Sequence, residues 1–433
     1  MAKKIIILGA GLAGLSAAWH LKQKGIQATV FEKEGSVGGL CRSKEINGFT
    51  FDYDGHLLHF QNNYTLELVN KLLKGNLARH ERSAWINHFD KFSRYPFQAN
   101  LHALPRPIAI ECLWGFIRAC NLRPANGKLD FLKWINITFG KGIAKYFMVP
   151  YNEKFWTIPL SQMDHSWTDR FIPRLGLSEI VNGFFKISKN HFGYNAFFWY
   201  PKRGGITQLP QAFEEQLGGI SKDCRISEID LKKKEITIRG RGKERFDILI
   251  LTIPLPELIK IAKPLPGRIL GSLNQLRWNS IFNLNFGVEG KCHQGKHWVY
   301  FPHKETIFFR AGFFHNFSAN LAPAGKSSLY AEVSYSKNRP INRKKIAKHV
   351  LSDLYKTRII SRNNRVLVTD ENDIKYGYPI YDRNYQDATA SIKKFLLSKD
   401  VFPCGRYGGW QYMSMEDVLL NGKTTANLVS RHV

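Results

Sequence analysis

The chain opens on four apolar residues, Ile5–Leu8, too few for a helix and typical of a strand covered on both faces. A Gly-Ala-Gly-Leu-Ala-Gly run follows. Apolar positions then recur at helical spacing over residues 12–24, Gly25 stops the helix, and residues 28–32 predict a second strand. This is one βαβ unit. Residues 226–238 alternate apolar and polar like a short meander, and residues 246–253 form another buried run ending at Pro254; both are expected to continue the first sheet. Residues 101–199, rich in Trp, Phe and Arg, carry Pro-punctuated helical patterns such as residues 108–120, and this predicts a helical insertion. Residues 283–288, 297–300, 306–310 and 328–334 alternate or carry β-branched and aromatic residues, which predicts an antiparallel sheet in a substrate-facing lobe.

The first turn carries chemistry. Gly9-x-Gly11-x-x-Gly14 directly follows a strand and opens a helix, as a dinucleotide-binding turn requires: one glycine for the tight turn, one for backbone approach to a pyrophosphate, one for helix–strand packing. The phosphates then meet unpaired N–H groups and the positive end of the helix dipole. Glu32 closes the second strand, where an acid accepts hydrogen bonds from a ribose and disfavours a 2′-phosphate, so this turn is not expected to hold NADPH.

Composition narrows the class. At 433 residues the chain is long enough for two or three packed lobes, and 44% hydrophobic with 23% charged residues is ordinary for a globular protein. Lys and Arg number 63 against 35 Asp and Glu, a formal charge of +28 that makes anionic partners plausible. The basic residues are scattered and no nucleic-acid-binding signature accompanies them, so nucleic acid is not expected as a partner. The six cysteines, at positions 41, 112, 120, 224, 292 and 404, show neither metal-ligand spacing nor the density of a disulfide scaffold, which fits a reducing compartment and no metal. No stretch is long and apolar enough to span a bilayer, which leaves peripheral contact as the membrane association open to it, the basic, Trp-containing run at residues 114–123 being one candidate.

Four separated segments match the flavin amine oxidase superfamily: the first glycine turn; the stretch from Glu32 through Gly38, Gly39 and Arg42; Gly204-Gly205; and the C-terminal Phe402-Pro-Cys-Gly405-Arg406. They point to FAD. No second Gly-x-Gly-x-x-Gly appears, hence no separate NADPH domain is expected. Within that superfamily the chain resembles the UDP-galactopyranose mutases, particularly the eukaryotic branch, from the first strand to the last helix. The segments that carry the resemblance are Asp54-Gly55-His56, Tyr95-Pro96-Phe97-Gln98, Trp156-Thr-Ile-Pro159 with Arg170 beyond it, Trp298-Val-Tyr300-Phe-Pro, Arg310 through Asn316, Tyr378-Pro, and Arg406 through Trp410 to Tyr412.

What the resemblance implies is a redox-neutral interconversion of pyranose and furanose forms of a UDP-hexose, with N5 of reduced FAD as nucleophile and an external reductant such as NADPH or NADH. It implies Gly9, Gly11, Gly14, Glu32, Gly38, Gly39, Arg42, Gly405 and Arg406 at the cofactor, and His56, Arg170 and Arg310 in catalysis. It implies Tyr95, Gln98, Trp298, Tyr300, Asn316, Tyr378 and Tyr412 at the substrate. The arginines suit a diphosphate because their planar forks match its oxygens. Two departures stand out. Asp54 occupies a position where the family tends to have glycine, and Met413-Ser-Met415 follows Tyr412 where an Asn or Asp often touches the sugar. The rival within the superfamily is an oxidoreductase of the amine oxidase, protoporphyrinogen oxidase or carotenoid desaturase kind, whose pocket would be lined by carboxylates or aromatic residues and lack a paired-arginine clamp. The expected fold class is α/β: a Rossmann-type FAD-binding domain from residues 1–100, 200–275 and 395–433, a helical insertion at 101–199, and a substrate-binding antiparallel sheet at 276–394. The expected location is cytoplasmic, with peripheral contact at the inner face of the membrane left open along with the oligomeric state.

Overall fold

A computed structural model of the chain describes residues 3–88, 91–121, 129–187, 192–193 and 195–433, the Arg170 side chain excepted. Ile5–Leu8 sits inside a four-stranded parallel sheet, between Ile248–Leu251 and Thr29–Phe31, with Val401–Pro403 outside Ile248–Leu251. All four residues of Ile5–Leu8 and of Ile248–Leu251 are buried, the state that runs of Ile and Leu favour when both faces of a sheet are covered. Helix Leu12–Lys22 packs on this sheet and against the C-terminal helix Met415–Val429. A reciprocal capping box opens the latter: Ser414 Oγ accepts from the Asp417 N–H at 3.2 Å, and Asp417 Oδ2 accepts from the Ser414 N–H at 2.8 Å.

The meander does not continue this sheet. Ile226–Asp230 and Glu235–Ile238 pair with each other, with Gly242–Arg245 and with Ala262–Lys263 in a sheet of their own. The cause lies in the pattern: strands that bury alternate residues cover one face only, whereas the parallel sheet demands burial on both. Its outer place beside Ile248–Leu251 is taken by Val401–Pro403.

The third sheet has seven strands, in the order Val366–Pro379, Trp278–Glu289, Lys326–Tyr335, Arg310–Phe313, Trp298–Tyr300, Ala84–His88, Lys91–Arg94. Its pairs are antiparallel except Trp298–Tyr300 with Ala84–His88, and its last two strands come from the N-terminal segment. The strand expected at 306–310 begins only at Arg310. The residues before it close around the buried Lys154, whose Nζ donates to Thr306 Oγ1 at 2.8 Å and to the carbonyls of Phe301 and His303. Residues 101–121 and 129–187 are mainly helical, with Arg106–Cys120, Phe131–Ile143, Val149–Trp156 and Leu177–Phe185 packed around Phe97, Ile135, Phe139 and Trp156. No helix among the described residues is long and apolar enough to cross a membrane.

Candidate active site

Three glycines shape the turn after Ile5–Leu8, where the sequence leads one to expect a nucleotide. Gly9 has φ +101°, a conformation side chains rarely adopt, and its N–H donates to Phe31 O at 2.8 Å. A Cβ on Gly14 would lie 2.0 Å from Gly9 O, so only glycine lets the helix approach the turn this closely. At Gly11 a Cβ would meet nothing within 4 Å: the turn opens on space there. Helix Leu12–Lys22 has neither a side-chain cap nor an acid in its first turn, so its N-terminal donors are left for an anion. The buried Glu32 accepts from the N–H of Ala10 at 2.8 Å and of Glu34 at 3.0 Å, which holds its carboxylate at the rim with lone pairs to spare. This donor set and open turn fit a dinucleotide-type cofactor.

The second glycine motif lies against the first: Gly38 N–H donates to Ala10 O at 2.8 Å, and Arg42 Nε to Gly39 O at 2.7 Å. Gly405 is wedged against Ala13, and the guanidinium of Arg406, bonded to Met413 O, lies 5.1 Å from the Tyr378 ring and 5.7 Å from that of Tyr412. The first two glycine segments and Gly405 therefore lie together at the turn after Ile5–Leu8.

Beside them is a cavity whose lining includes Asp54, Gly55, His56, Tyr95, Trp298, Tyr300, Arg310, Tyr378, Arg406 and Tyr412. Its tyrosines pack edgewise or tilted, with ring centroids 5.3 Å apart for Tyr95 and Tyr300 and again for Tyr378 and Tyr412. Arg310 is paired in register with Glu332 on the adjacent strand, and the carboxylate takes both Nε and Nη2 of the fork, the latter at 2.7 Å. Glu332 is fully buried. Burial works against the Arg310 charge, but the facing Glu332 outweighs it and holds the guanidinium above its ordinary range. His56 Nδ1 lies 3.2 Å from Asp54 O, and burial pushes the His56 pKa down, so the ring is neutral.

Two residues expected at the substrate do not line the cavity. Gln98 Nε2 donates to Pro173 O at 2.9 Å, and Asn316 Nδ2 donates to His293 O at 3.0 Å and to Lys296 O, so both amides satisfy carbonyls of the surrounding backbone. Arg170 belongs to the short helix Thr168–Phe171, and its side chain lies outside the described residues. Sequence reasoning missed Phe147, Tyr151, Phe155, Trp167, Phe171 and Tyr407, which also line the cavity; the Phe171 ring centroid stands 4.3 Å from that of Tyr412. It also missed Glu332, although an acid inside the buried strand Lys326–Tyr335 was a readable signal.

Over residues 12–430 the chain matches the family described as flavin containing amine oxidoreductase, and it belongs to that family. It is accordingly a flavoprotein of the flavin-dependent oxidoreductase superfamily. The crystal structure of reduced UDP-galactopyranose mutase superposes on 100% of this chain and 95% of its own with a TM-score of 0.94, at 26% identity. The UDP-galactopyranose mutase of Mycoplasma pneumoniae is 27% identical over 241 residues, 53% of this chain and 57% of that protein. The 1-hydroxycarotenoid 3,4-desaturase of Flavobacterium sp. is 52% identical, but over 50 residues that cover 12% of this chain and 10% of the relative. The chain thus spans a tenth to somewhat over half the length of these curated relatives. Putrescine oxidase bound to putrescine shares the fold, with a TM-score of 0.69 at 16% identity.

Proposed function

We propose that the chain is an FAD-dependent mutase that interconverts pyranose and furanose forms of a nucleotide sugar, of the UDP-galactopyranose mutase kind and redox-neutral overall. The observation that carries this reading is Arg310, a cation fixed by Glu332 in the wall of a cavity that also presents Arg406, Asp54, His56 and a set of tyrosine and other aromatic faces. An apolar or amine substrate has no use for a guanidinium there; a diphosphate leaving group does. The short desaturase match does not favour the rival oxidoreductase, since its 50 residues are few and the full-length likeness to the mutase, with a TM-score of 0.94, exceeds that to putrescine oxidase at 0.69.

When bound, reduced FAD supplies a nucleophile at N5. The protein's residues hold and orient. In this reading Arg310 binds the diphosphate through the donors Glu332 leaves unused, with Arg170 as its partner from the helical side. Tyr95, Tyr300, Tyr378 and Tyr412 donate phenolic hydrogen bonds to the phosphates at little entropic cost, because a ring has few rotamers to lose. Trp298 and the aromatic wall exclude water, and neutral His56 presents a ring nitrogen beside the cofactor edge without adding charge. Gln98 and Asn316 are assigned supporting roles through the backbone they hold. An external reductant, NADPH or NADH, keeps the cofactor reduced.

The test is turnover by the purified yellow protein after dithionite reduction. The expected result is conversion of UDP-galactofuranose to UDP-galactopyranose with no net consumption of reductant. Stoichiometric oxidation of an added substrate with oxygen uptake would replace this reading by the oxidase one.

A further inference from the structure

The helical part of the molecule leaves one face without a partner. Along helix Arg106–Cys120, positions 106, 110, 114 and 118 follow one another every four residues and form a single stripe. Ala109, Cys112, Phe116 and Ala119 are buried on the other side, whereas Ile110 is 51% and Trp114 54% exposed. The neighbouring helix Leu177–Phe185 ends in two apolar residues more exposed still, Phe185 at 70% and, just past it, Ile187 at 58%. The guanidinium of Arg106 lies 5.4 Å from the Phe184 ring, which joins the two outer faces. Single exposed apolar side chains need no explanation; a group of them on adjoining helices does.

Cationic side chains flank this group directly. Arg106 and Arg118 bracket Ile110 and Trp114 on the stripe, Arg118 lying 5.2 Å from the Trp114 ring, and Lys186 stands exposed between Phe185 and Ile187. The nearby carboxylates are already engaged: Glu111 with Lys145 at 2.9 Å and with Tyr146, Glu179 with the Gly176 N–H at 2.6 Å, and Asp169 with Arg174. Such an apolar centre with a tryptophan and a cationic rim matches the boundary of a bilayer, where rings sit at headgroup depth and long basic side chains reach anionic headgroups.

We infer that this face docks the protein on an anionic lipid surface, with the helix Arg106–Cys120 lying in the plane of the headgroups. The contact is shallow, since no described helix can cross a bilayer. The inference extends the sequence-based candidate at residues 114–123, of which residues 122 and 123 lie outside the described residues, to a second helix. It stands apart from the sugar reading: Ile110, Trp114, Phe185 and Ile187 are absent from the cavity lining.

The experiment is co-sedimentation of the full flavin-loaded chain with vesicles of phosphatidylcholine, with and without phosphatidylglycerol. Binding is expected to the phosphatidylglycerol-containing vesicles only, and to weaken with added salt. A variant carrying Trp114→Gln and Phe185→Ser should bind at least about tenfold more weakly while keeping its flavin absorbance, because it loses buried apolar area outside the fold. Arg106→Glu with Arg118→Glu should abolish the preference for anionic lipid. Absence of binding to either vesicle, or equal binding by the Trp114/Phe185 variant, overturns the inference. So does a dimer in sedimentation velocity that the same variant abolishes, since the face would then serve a second copy of the chain.

Discussion

Arg310 and Glu332 face each other across two antiparallel strands, and the consequence for mutagenesis is specific. Removing the arginine leaves a fully buried carboxylate unpaired, so Arg310→Ala mixes a stability defect with any loss of binding. Arg310→Lys keeps the charge but not the fork, and it is expected to weaken UDP binding by roughly tenfold or more while flavin stays bound, as titration followed by flavin fluorescence would show. Glu332→Ala should destabilise the fold by roughly 3–5 kcal/mol in urea unfolding, the usual effect of stranding one member of a buried pair. Tyr95, Tyr300, Tyr378, Tyr412 and Arg310 were legible because each stands in a recognisable run of residues, whereas Tyr151 does not. Glu332 was not assigned because its role depends on which strand pairs with Arg310, and no local pattern sets that register. Gln98 and Asn316 show the converse: a motif places a residue along the chain but does not decide where its amide points.

Among the elements, the glycine turn allows the sharpest expectation. A Cβ at position 14 meets backbone, Gly9 O, which cannot swing aside as a side chain would. Gly14→Ala should therefore displace the helix from the turn and yield protein of low flavin content, measured by the ratio of flavin to protein absorbance. Normal flavin occupancy in that variant would contradict the assignment of this turn as the cofactor cradle. At the C-terminal helix, loss of the cap in Ser414→Ala should cost about 1 kcal/mol and, in a chain of this length, lower the melting temperature by only about one degree. The βαβ unit was readable because its strands are buried on both faces and its punctuation is glycine. The meander was misplaced because alternation reports that one face is covered and not which sheet the strand joins.

For the molecule as a whole, pH is the informative variable. Burial holds His20, His56, His80, His88, His293, His297, His303 and His315 below their ordinary range, His88 at about 3 and His297 at about 4. Their folded pKa values are depressed, so the unfolded chain takes up protons that the folded one refuses. Their contribution is present above about pH 6.5 and is lost as pH falls below it. Asp52, Asp382 and Glu332 act the other way, Asp52 being pushed up to about 7 by burial and Glu332 raised by the same cause, but they are fewer. The urea midpoint should accordingly fall between neutral pH and about pH 5, and a flat profile would mean that these histidines are solvated. Taken alone, the sequence determined the glycine turn of the βαβ unit, the α/β class and the places along the chain of Tyr95, Trp298, Tyr300, Arg310, Tyr378, Arg406 and Tyr412, because those depend on backbone conformation and residue chemistry that are local or ordered along the chain. Only the tertiary structure decided that strands from residues 84–94 complete the third sheet, that Glu332 fixes Arg310, and that two helices share an exposed apolar face. Each of these is a contact between distant segments, set by packing and register, to which the neighbours of a residue in sequence are blind.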